Sequence, residues 1–341
     1  MLDLDGAAGG GQVVRTALVL SAATGEPVEL ANVRGARPNP GLRPQHLAAV
    51  EALAAVCDAE VTGASEGSET VRFDPGDLHG GEVEADIGTA GSVTLLFDAL
   101  LPLAPVLSDP LTVVATGGTD VKWAPPLDYI RRVKLPLLTG VGLDAIVTPD
   151  RRGFYPAGGG RVTLSLAPSS LSPIDLTDRG DLRSVEVYST ASESLVESEV
   201  AGRQAQGAMA ALDEMGVPCE VAAVEYAETR STGSVVVLDA AYGGTRAGFD
   251  ALGERGVPAE DVGRAAVEDF AAFHVGFGCV DGYMADQVLP FLAFAGGEVL
   301  VPEVTDHVAT HLAVLDAFGC AVERTERDGQ GVLLSVTDTL G

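Results

Sequence analysis

The sequence predicts an α/β (α+β) protein, a large domain of three repeated strand/helix-pair units carrying a smaller inserted α/β domain. Three observations predict it. Short strand-like runs alternate with runs of helical period along the chain. One order of elements returns three times at a spacing of roughly 60 to 85 residues, the mark of a repeated structural unit. Between the second and third occurrence lies a stretch of different rhythm, bounded by the turn-rich strings SSLSPIDLTDRG and HVGFGCVDG. The large domain is expected at residues 1–180 and 274–341, and the insert at 181–273.

In the first unit a short strand (MLDLDG) precedes a helix over 12–23, a strand over 27–34, a second helix over 44–56 and strands over 60–63 and 70–73. The second unit runs strand 82–87, helix 90–103, strand 111–115, helix 127–138 and strands 145–148 and 161–166. The third runs helix 283–295, strand 298–301, a helix over 305–318 and strands 321–324 and 331–336. Within the insert, strands over 183–190, 220–227 and 234–238 and helices over 199–215 and 259–273 read as βαββα, with Arg203 and Gln204 on a solvated helix face. Each sheet-plus-helix-pair layer can bury the helix face of its neighbour.

Composition narrows the function. A chain of 341 residues with 46% apolar content has ample core for about two domains. No basic–apolar–small leader opens it, and the longest apolar run, 95–107, is broken by Asp98 and too short to span, so a soluble cytoplasmic protein without a membrane partner is expected. Cys57, Cys219, Cys279 and Cys320 lack CxxC or metal spacing and read as reduced thiols. The net charge is −28, from 49 acids and 21 bases, and only Lys122 and Lys134 are lysines. In dilute salt such a balance argues against nucleic acid, because phosphate binding relies on positive charge. Concentrated salt screens surface repulsion within about 3 Å at 1 M, and there Asp and Glu can replace surface Lys while Arg stays where function requires it. The acidity is therefore read as halophilic adaptation, a property of the solvent and not of the partner.

Unusual residues collect at helix starts. Gly9-Gly10-Gly11-Gln12 opens a helix bearing Arg15, and VRGARPNPGLRPQH places Arg34, Arg37, Arg43, Gln45 and His46 ahead of the next. In the second unit GTAGS (88–92) and GGTD (117–120) flank the helices, with Arg131 and Arg132 following. Tyr283-Met284-Ala285-Asp286-Gln287 and TDHVATHLAVLDAF open the helices of the third. Glycine-rich turns before helices expose N–H groups to phosphate, and the arginine fork matches phosphate oxygens. Singly, the glycines are turn formers and the arginines a solvated loop. Together they point to a polyphosphate or RNA-end site.

His307 is the candidate nucleophile. Thr305 or Asp306 caps its helix, Val308, Leu312, Leu315 and Phe318 recur at helical spacing, and Gly319 stops it. A first-turn imidazole meets unpaired N–H groups and a positive dipole end, which welcome phosphate and disfavour protonation. A zinc site from His307 and His311 is a poorer reading, because Val308 stands where the H-E-x-x-H glutamate belongs. His46, His79 and His274 read as a helix, a turn and a packing residue, with only His46 near the arginines.

The most specific string is RGFYPAGGG (152–160), between the last two strands of the second unit. It resembles the signature of the RNA 3′-terminal phosphate cyclase family. The likeness continues through LDG…GGGQ at Leu4 to Gln12, R…R…PGL…QH from Arg34 to His46, IGTAGS, GGTD, APP…IRRV, YMADQ and the run from His307. The resemblance implies a large threefold-repeat domain and an inserted α/β domain. It implies that His307 attacks the α-phosphorus of ATP, that AMP passes to an RNA 3′-phosphate, and that the 2′-hydroxyl then closes a 2′,3′-cyclic phosphate. By the same carry-over, Tyr283, Met284, Ala285, Asp286 and Gln287 hold the nucleotide, Arg15, Arg34, Arg37 and Gln45 hold phosphates, and Mg²⁺ or Mn²⁺ offsets triphosphate charge. Arg43 and Gln12 join the phosphate group by position.

Two departures from the family pattern stand out. The glycine loop is shorter and has no acid between Asp5 and Gln12. Asp98 occupies a position where a nucleotide-contacting glutamine is common, His311 replaces a usual asparagine, and Asp98→Gln is expected to tighten ATP binding. Two other classes remain open: a non-catalytic cyclase-like protein of ribosome assembly, whose kind lacks the nucleophilic histidine, and a transferase of the EPSP synthase type, which does not use ATP.

Overall fold

In the computed structural model, which describes residues 1–327 and 329–340, three four-stranded sheets share one wiring. The first contains β1 (Leu2–Asp5), β2 (Val28–Ala31), β3 (Glu60–Thr62) and β4 (Val71–Asp74) in the order β1-β2-β4-β3. The second contains β5 (Gly81–Asp86), β6 (Leu111–Gly117), β7 (Ala145–Arg151) and β8 (Gly160–Leu166) in the order β5-β6-β8-β7. In each, the first pair is parallel and the others antiparallel. A parallel pair needs a crossover, which α1 (Gly11–Thr24) supplies between β1 and β2. Helix α2 (Pro44–Cys57) then leads to the antiparallel half of the first sheet.

The third sheet begins earlier than expected. Strand β9 (Ile174–Leu176) is laid down first, and the chain then leaves to build a fourth sheet from β10 (Leu182–Ser192), β11 (Cys219–Ala227), β12 (Ser234–Tyr242) and β13 (Arg246–Leu252). It returns with β14 (Gly297–Val301), β15 (Glu323–Glu326) and β16 (Val332–Val336), giving β9-β14-β16-β15, the order of the other two sheets. The fourth sheet therefore interrupts the third unit and does not fall between units. Three residues are too few to show periodicity, which is why β9 escapes a reading by pattern. Strand β13 also escaped it, so the insert runs βαβββα. Its Gly248 has no space for a side chain, since a Cβ there would collide with the Tyr129 ring.

The helices follow the pattern with local departures. Helix α3 (Val93–Leu100) starts three residues later than expected, where Ser92 Oγ accepts from Leu95 N–H at 3.2 Å. The expected helix over 127–138 is a π-helical stretch, Tyr129–Lys134, continued by α4 (Leu135–Thr139). Two helices pack on the fourth sheet, α5 (Val200–Met215) and α6 (Ala259–Val275). On α5 Gln204 is fully buried, bonded to Ser189 Oγ at 3.2 Å and Ser234 Oγ at 3.0 Å, which corrects its assignment to a solvated face. The expected helix over 283–295 divides into α7 (Met284–Gln287) and α8 (Leu289–Ala295), with Pro290 in the first turn of the second piece. Helix α9 (Asp306–Ala317) carries His307.

One hydrophobic cluster runs through the three like sheets and their helices, and another joins the fourth sheet to α5 and α6. Polar joints link them, among them two sets. Arg179 donates to the carbonyls of Phe273, His274 and Gly276 at 2.7, 3.1 and 3.2 Å. The buried Asp281 carboxylate accepts from Tyr129 Oη at 2.7 Å, Gly248 N–H at 2.9 Å, and the N–H groups of Tyr283 and Met284 at 2.9 and 3.0 Å.

Candidate active site

Helix α9 opens as its cap predicts: Thr305 Oγ1 accepts from Val308 N–H at 3.2 Å, which leaves His307 in the first turn. Val308, Leu312 and Leu315 are buried, so the opposite face, with an exposed His307, looks outward. Asp286, on the short α7, reaches it: Oδ2 lies 3.4 Å from His307 Nδ1 and 3.7 Å from His311 Nε2. The hydrogen bond with Asp286 raises the pKa of His307, with burial acting against it. The neighbouring carboxylate thereby outweighs the bias against protonation expected at a helix start. Burial would raise the Asp286 carboxyl, but the His307 bond and the charges of His311, His307 and Arg15 hold it below its ordinary value. His311 sits deeper, 3.1 Å from Thr16 Oγ1, and burial pushes its pKa down to about 4.

The glycine run of the first unit brings the cations in. A Cβ at Gly10 would stand 3.2 Å from Arg37 Nη2, and one at Gly11 would collide with His46 Nε2 while standing 3.2 Å from Arg15 Nη1. Absence of side chains at these positions is therefore what lets Arg37, Arg15 and His46 converge on the start of α1. Burial lowers the Arg15 pKa to about 10, opposed by Asp286. Gln12 Nε2 donates to Thr310 Oγ1 at 3.3 Å and ties α1 to α9. His46 Nδ1 accepts from Arg43 N–H at 3.1 Å, and burial, with Arg15, Arg34 and Arg43 nearby, lowers its pKa to about 3. Gln45 Oε1 accepts from Ser92 N–H at 3.4 Å, joining this cluster to the turn at 88–92.

Several expected site residues do other work. Arg34, at φ +54°, folds back on its own loop, donating to the carbonyls of Asn39 at 2.8 Å and Gly41 at 2.9 Å, so it braces the loop and is no free phosphate finger. Arg43 is exposed and pairs with Glu66 at 3.5 Å. Met284 and Ala285 enter the core with their side chains, which leaves Tyr283, Asp286 and Gln287 as the run's polar members. Tyr283 is half-buried and bonded to Asp250. Asp98 is spent on Lys134, which is completely buried and also donates to Gln287 Oε1 at 3.1 Å. Asp98 also lines a cavity of about 20 Å³ together with Arg15, Asp286, Gln287 and His311. Asp5, which ends β1 ahead of the shortened glycine loop, accepts from Ala7 N–H at 2.9 Å and Asn32 Nδ2 at 3.1 Å.

The string RGFYPAGGG braces the neighbouring turns. Arg152 donates to both Asp120 oxygens at 3.2 Å and also binds Asp128, while Gly153 N–H donates to Thr119 Oγ1 at 3.0 Å. The glycine at 158, φ +60°, lies so close to Ala90 that a Cβ would stand 2.8 Å from its Cα. Sequence reasoning missed Lys134, Asp128 and Asp281 as builders of the site, and met Asp120 only as part of GGTD. Lys134 had a signal, being one of two lysines in the chain.

Fold and site define an α/β enzyme of repeated sheet-and-helix units, with an exposed histidine among an aspartate and arginines at glycine-rich helix starts. A family model described as RNA 3'-terminal phosphate cyclase matches residues 7–323. Proteins named RNA 3'-terminal phosphate cyclase are similar along nearly their whole length. That of Halobacterium salinarum (strain ATCC 29341 / DSM 671 / R1) is 48% identical over 97% of this chain and 99% of its own. That of Pyrococcus furiosus is 42% identical over 93% of each, and that of Methanopyrus kandleri 42% identical over 98% of each. The chain belongs to the RNA 3′-terminal phosphate cyclase family of enzymes. Among solved structures, the enolpyruvyl transferase NikO from Streptomyces tendae aligns with 48% of this chain and 31% of its own at 13% identity and a TM-score of 0.26.

Proposed function

We propose that the protein converts an RNA 3′-terminal phosphate to a 2′,3′-cyclic phosphate with ATP, through a histidine–AMP and an RNA-(3′)pp(5′)A intermediate. The single observation that carries this is the contact between Asp286 and Nδ1 of the exposed His307. A carboxylate there favours the tautomer with the proton on Nδ1 and leaves the Nε2 lone pair free. Nε2 attacks the α-phosphorus, pyrophosphate leaves, and Asp286 stabilises the positive charge gained by the ring. An oxygen of the RNA 3′-phosphate then displaces the imidazole, and the 2′-hydroxyl attacks the activated 3′-phosphorus, expelling AMP.

In this reading Tyr283 offers its ring to the base, while Arg15, Arg37, Gln12 and Gln45 receive phosphates around the glycine run. Among the described residues no group of three or more His, Cys, Asp or Glu could hold a metal ion. The carboxylate that contacts His307, that of Asp286, is taken up by two imidazoles. This donor set fits Mg²⁺ or Mn²⁺ bound mainly through triphosphate oxygens and water. Its charge would offset that of the triphosphate. No helix among the described residues is long and apolar enough to cross a membrane. A cytoplasmic, salt-adapted enzyme agrees with the net charge of −28. A melting series in rising KCl tests the adaptation, with a rising Tm expected.

The mechanism is tested with α-labelled ATP and Mg²⁺ or Mn²⁺ in high salt, comparing the wild type with His307→Ala on a denaturing gel. An acid-labile, alkali-stable label on the wild type alone is expected of a histidine phosphoramidate. No label under any salt or metal condition would remove the covalent step.

A further inference from the structure

Trp123 is the chain's single tryptophan, and it is 93% exposed. Its φ is +63°, a left-handed conformation that strains a bulky residue and that glycine adopts freely. A strained backbone that holds a large apolar ring in solvent is a feature the fold itself does not use.

Its position gives it a use. The segment from Gly118 to Tyr129 is tied at both ends to residues of the candidate site. At one end Gly118 pairs with Ser92, whose N–H donates to Gln45; at the other, the Tyr129 ring meets Tyr283 edge-on at 5.0 Å. Trp123 falls in the stretch between these two ties. Next to it, Lys122 binds Glu254 at 2.5 Å and anchors the segment to the end of β13. The backbone bridge between Asp120 and Phe154 brings up a second loop, whose Tyr155 is 72% exposed.

We propose that Trp123, with Tyr155 beyond it, is a platform on which the unpaired bases at the 3′ end of the RNA stack. This rests on the cyclase reading above. Aromatic faces receive every base, so the platform holds an RNA end without demanding a sequence. The charge of the chain makes such a grip useful. A net −28 repels an RNA backbone, and salt that screens the repulsion also weakens phosphate contacts, whereas stacking tolerates salt.

The single indole makes a direct test. A short RNA ending in a 3′-phosphate, labelled at its 5′ end, is titrated into the protein without ATP, and label anisotropy and tryptophan emission are followed together. Saturable quenching that tracks the anisotropy is expected. Trp123→Gly removes the ring at a φ glycine prefers, so folding is not put at risk; it should raise the KM for RNA ~10-fold. Trp123→Phe should restore most of that loss. RNA binding with unchanged emission would overturn the platform while leaving the cyclase reading intact. Quenching by ATP alone, with slower self-adenylylation of Trp123→Gly, would assign the ring to the nucleotide and also overturn it. A wild type that neither binds RNA nor takes label from ATP would remove the platform together with the function on which it rests.

Discussion

Asp286 Oδ2 lies 3.4 Å from Nδ1 of His307, so an acid on one short helix selects which nitrogen of a histidine on another is free. The same contact raises the histidine pKa, and a protonated imidazole is no nucleophile. In the proposed mechanism the arrangement exchanges some reactivity at low pH for a fixed tautomer and a stabilised adduct.

Asp286→Asn should lower the His307 pKa toward its ordinary value. The acid limb of the self-adenylylation profile should move to lower pH, while the plateau rate falls by about tenfold or more as the orienting charge is lost. NMR titration of the imidazole and label incorporation against pH check the two halves separately.

Arg34 and Arg37, three residues apart, should respond oppositely. Arg34→Ala removes donors to two carbonyls and should cost about 1–2 kcal/mol of stability. Arg37 is exposed at the mouth of the glycine run, so Arg37→Ala should leave the denaturation midpoint nearly unchanged and raise the KM for ATP or RNA. Urea melts and steady-state kinetics on both variants decide it.

Asp98→Gln should not tighten ATP binding, contrary to the expectation from sequence. It removes the carboxylate paired with the fully buried Lys134, whose pKa burial lowers to about 7 against the pull of Asp286, and is expected to cost about 1–3 kcal/mol. Lys134→Met in the same background should recover part of that loss. Denaturation midpoints of the single and double variants test it.

Acid should destabilise the protein through its buried histidines. His46 and His311 have folded pKa values lowered to about 3 and about 4, below the ordinary 6.5. Their contribution is fully present above the unfolded pKa. Between that value and the folded ones the unfolded chain binds more protons, so stability falls with pH by up to about 1.4 kcal/mol per pH unit for each. His307, with a raised pKa, contributes in the opposite sense, losing stability as pH rises through its folded value; its exposure keeps that part small. Replacing His311 by Asn should flatten the profile between pH 6 and 4, which urea melts across that range would show.

What could be read from sequence was local. Thr305, the apolar spacing of α9 and Gly319 sufficed to put His307 in a first turn, because caps and periodicity act within a few residues. The partners of the site residues were not legible. Asp286 meets His307 only where α7 packs against α9, and Asp98 meets Lys134 across two helical segments. Arg34 looked like a phosphate ligand because residue type does not reveal a side chain folded back on its own loop. The repeat was visible in the first two units and blurred in the third, where a three-residue strand is parted from its partners by a whole sheet.

That parting sets an order of assembly. Leu176 and Gly297 close the third sheet across a stretch on the order of 10² residues, which as flexible chain would cost about 4 kcal/mol in closure entropy. Arg179 changes the problem by fastening the loop that leaves β9 to the C-terminal end of α6. Once β10 to α6 have folded, they behave as a wide turn and present β9 and β14 to each other nearly in register. On a growing chain, then, the unit that carries His307 is expected to be the last to close, after the insert that parts its strands has been made.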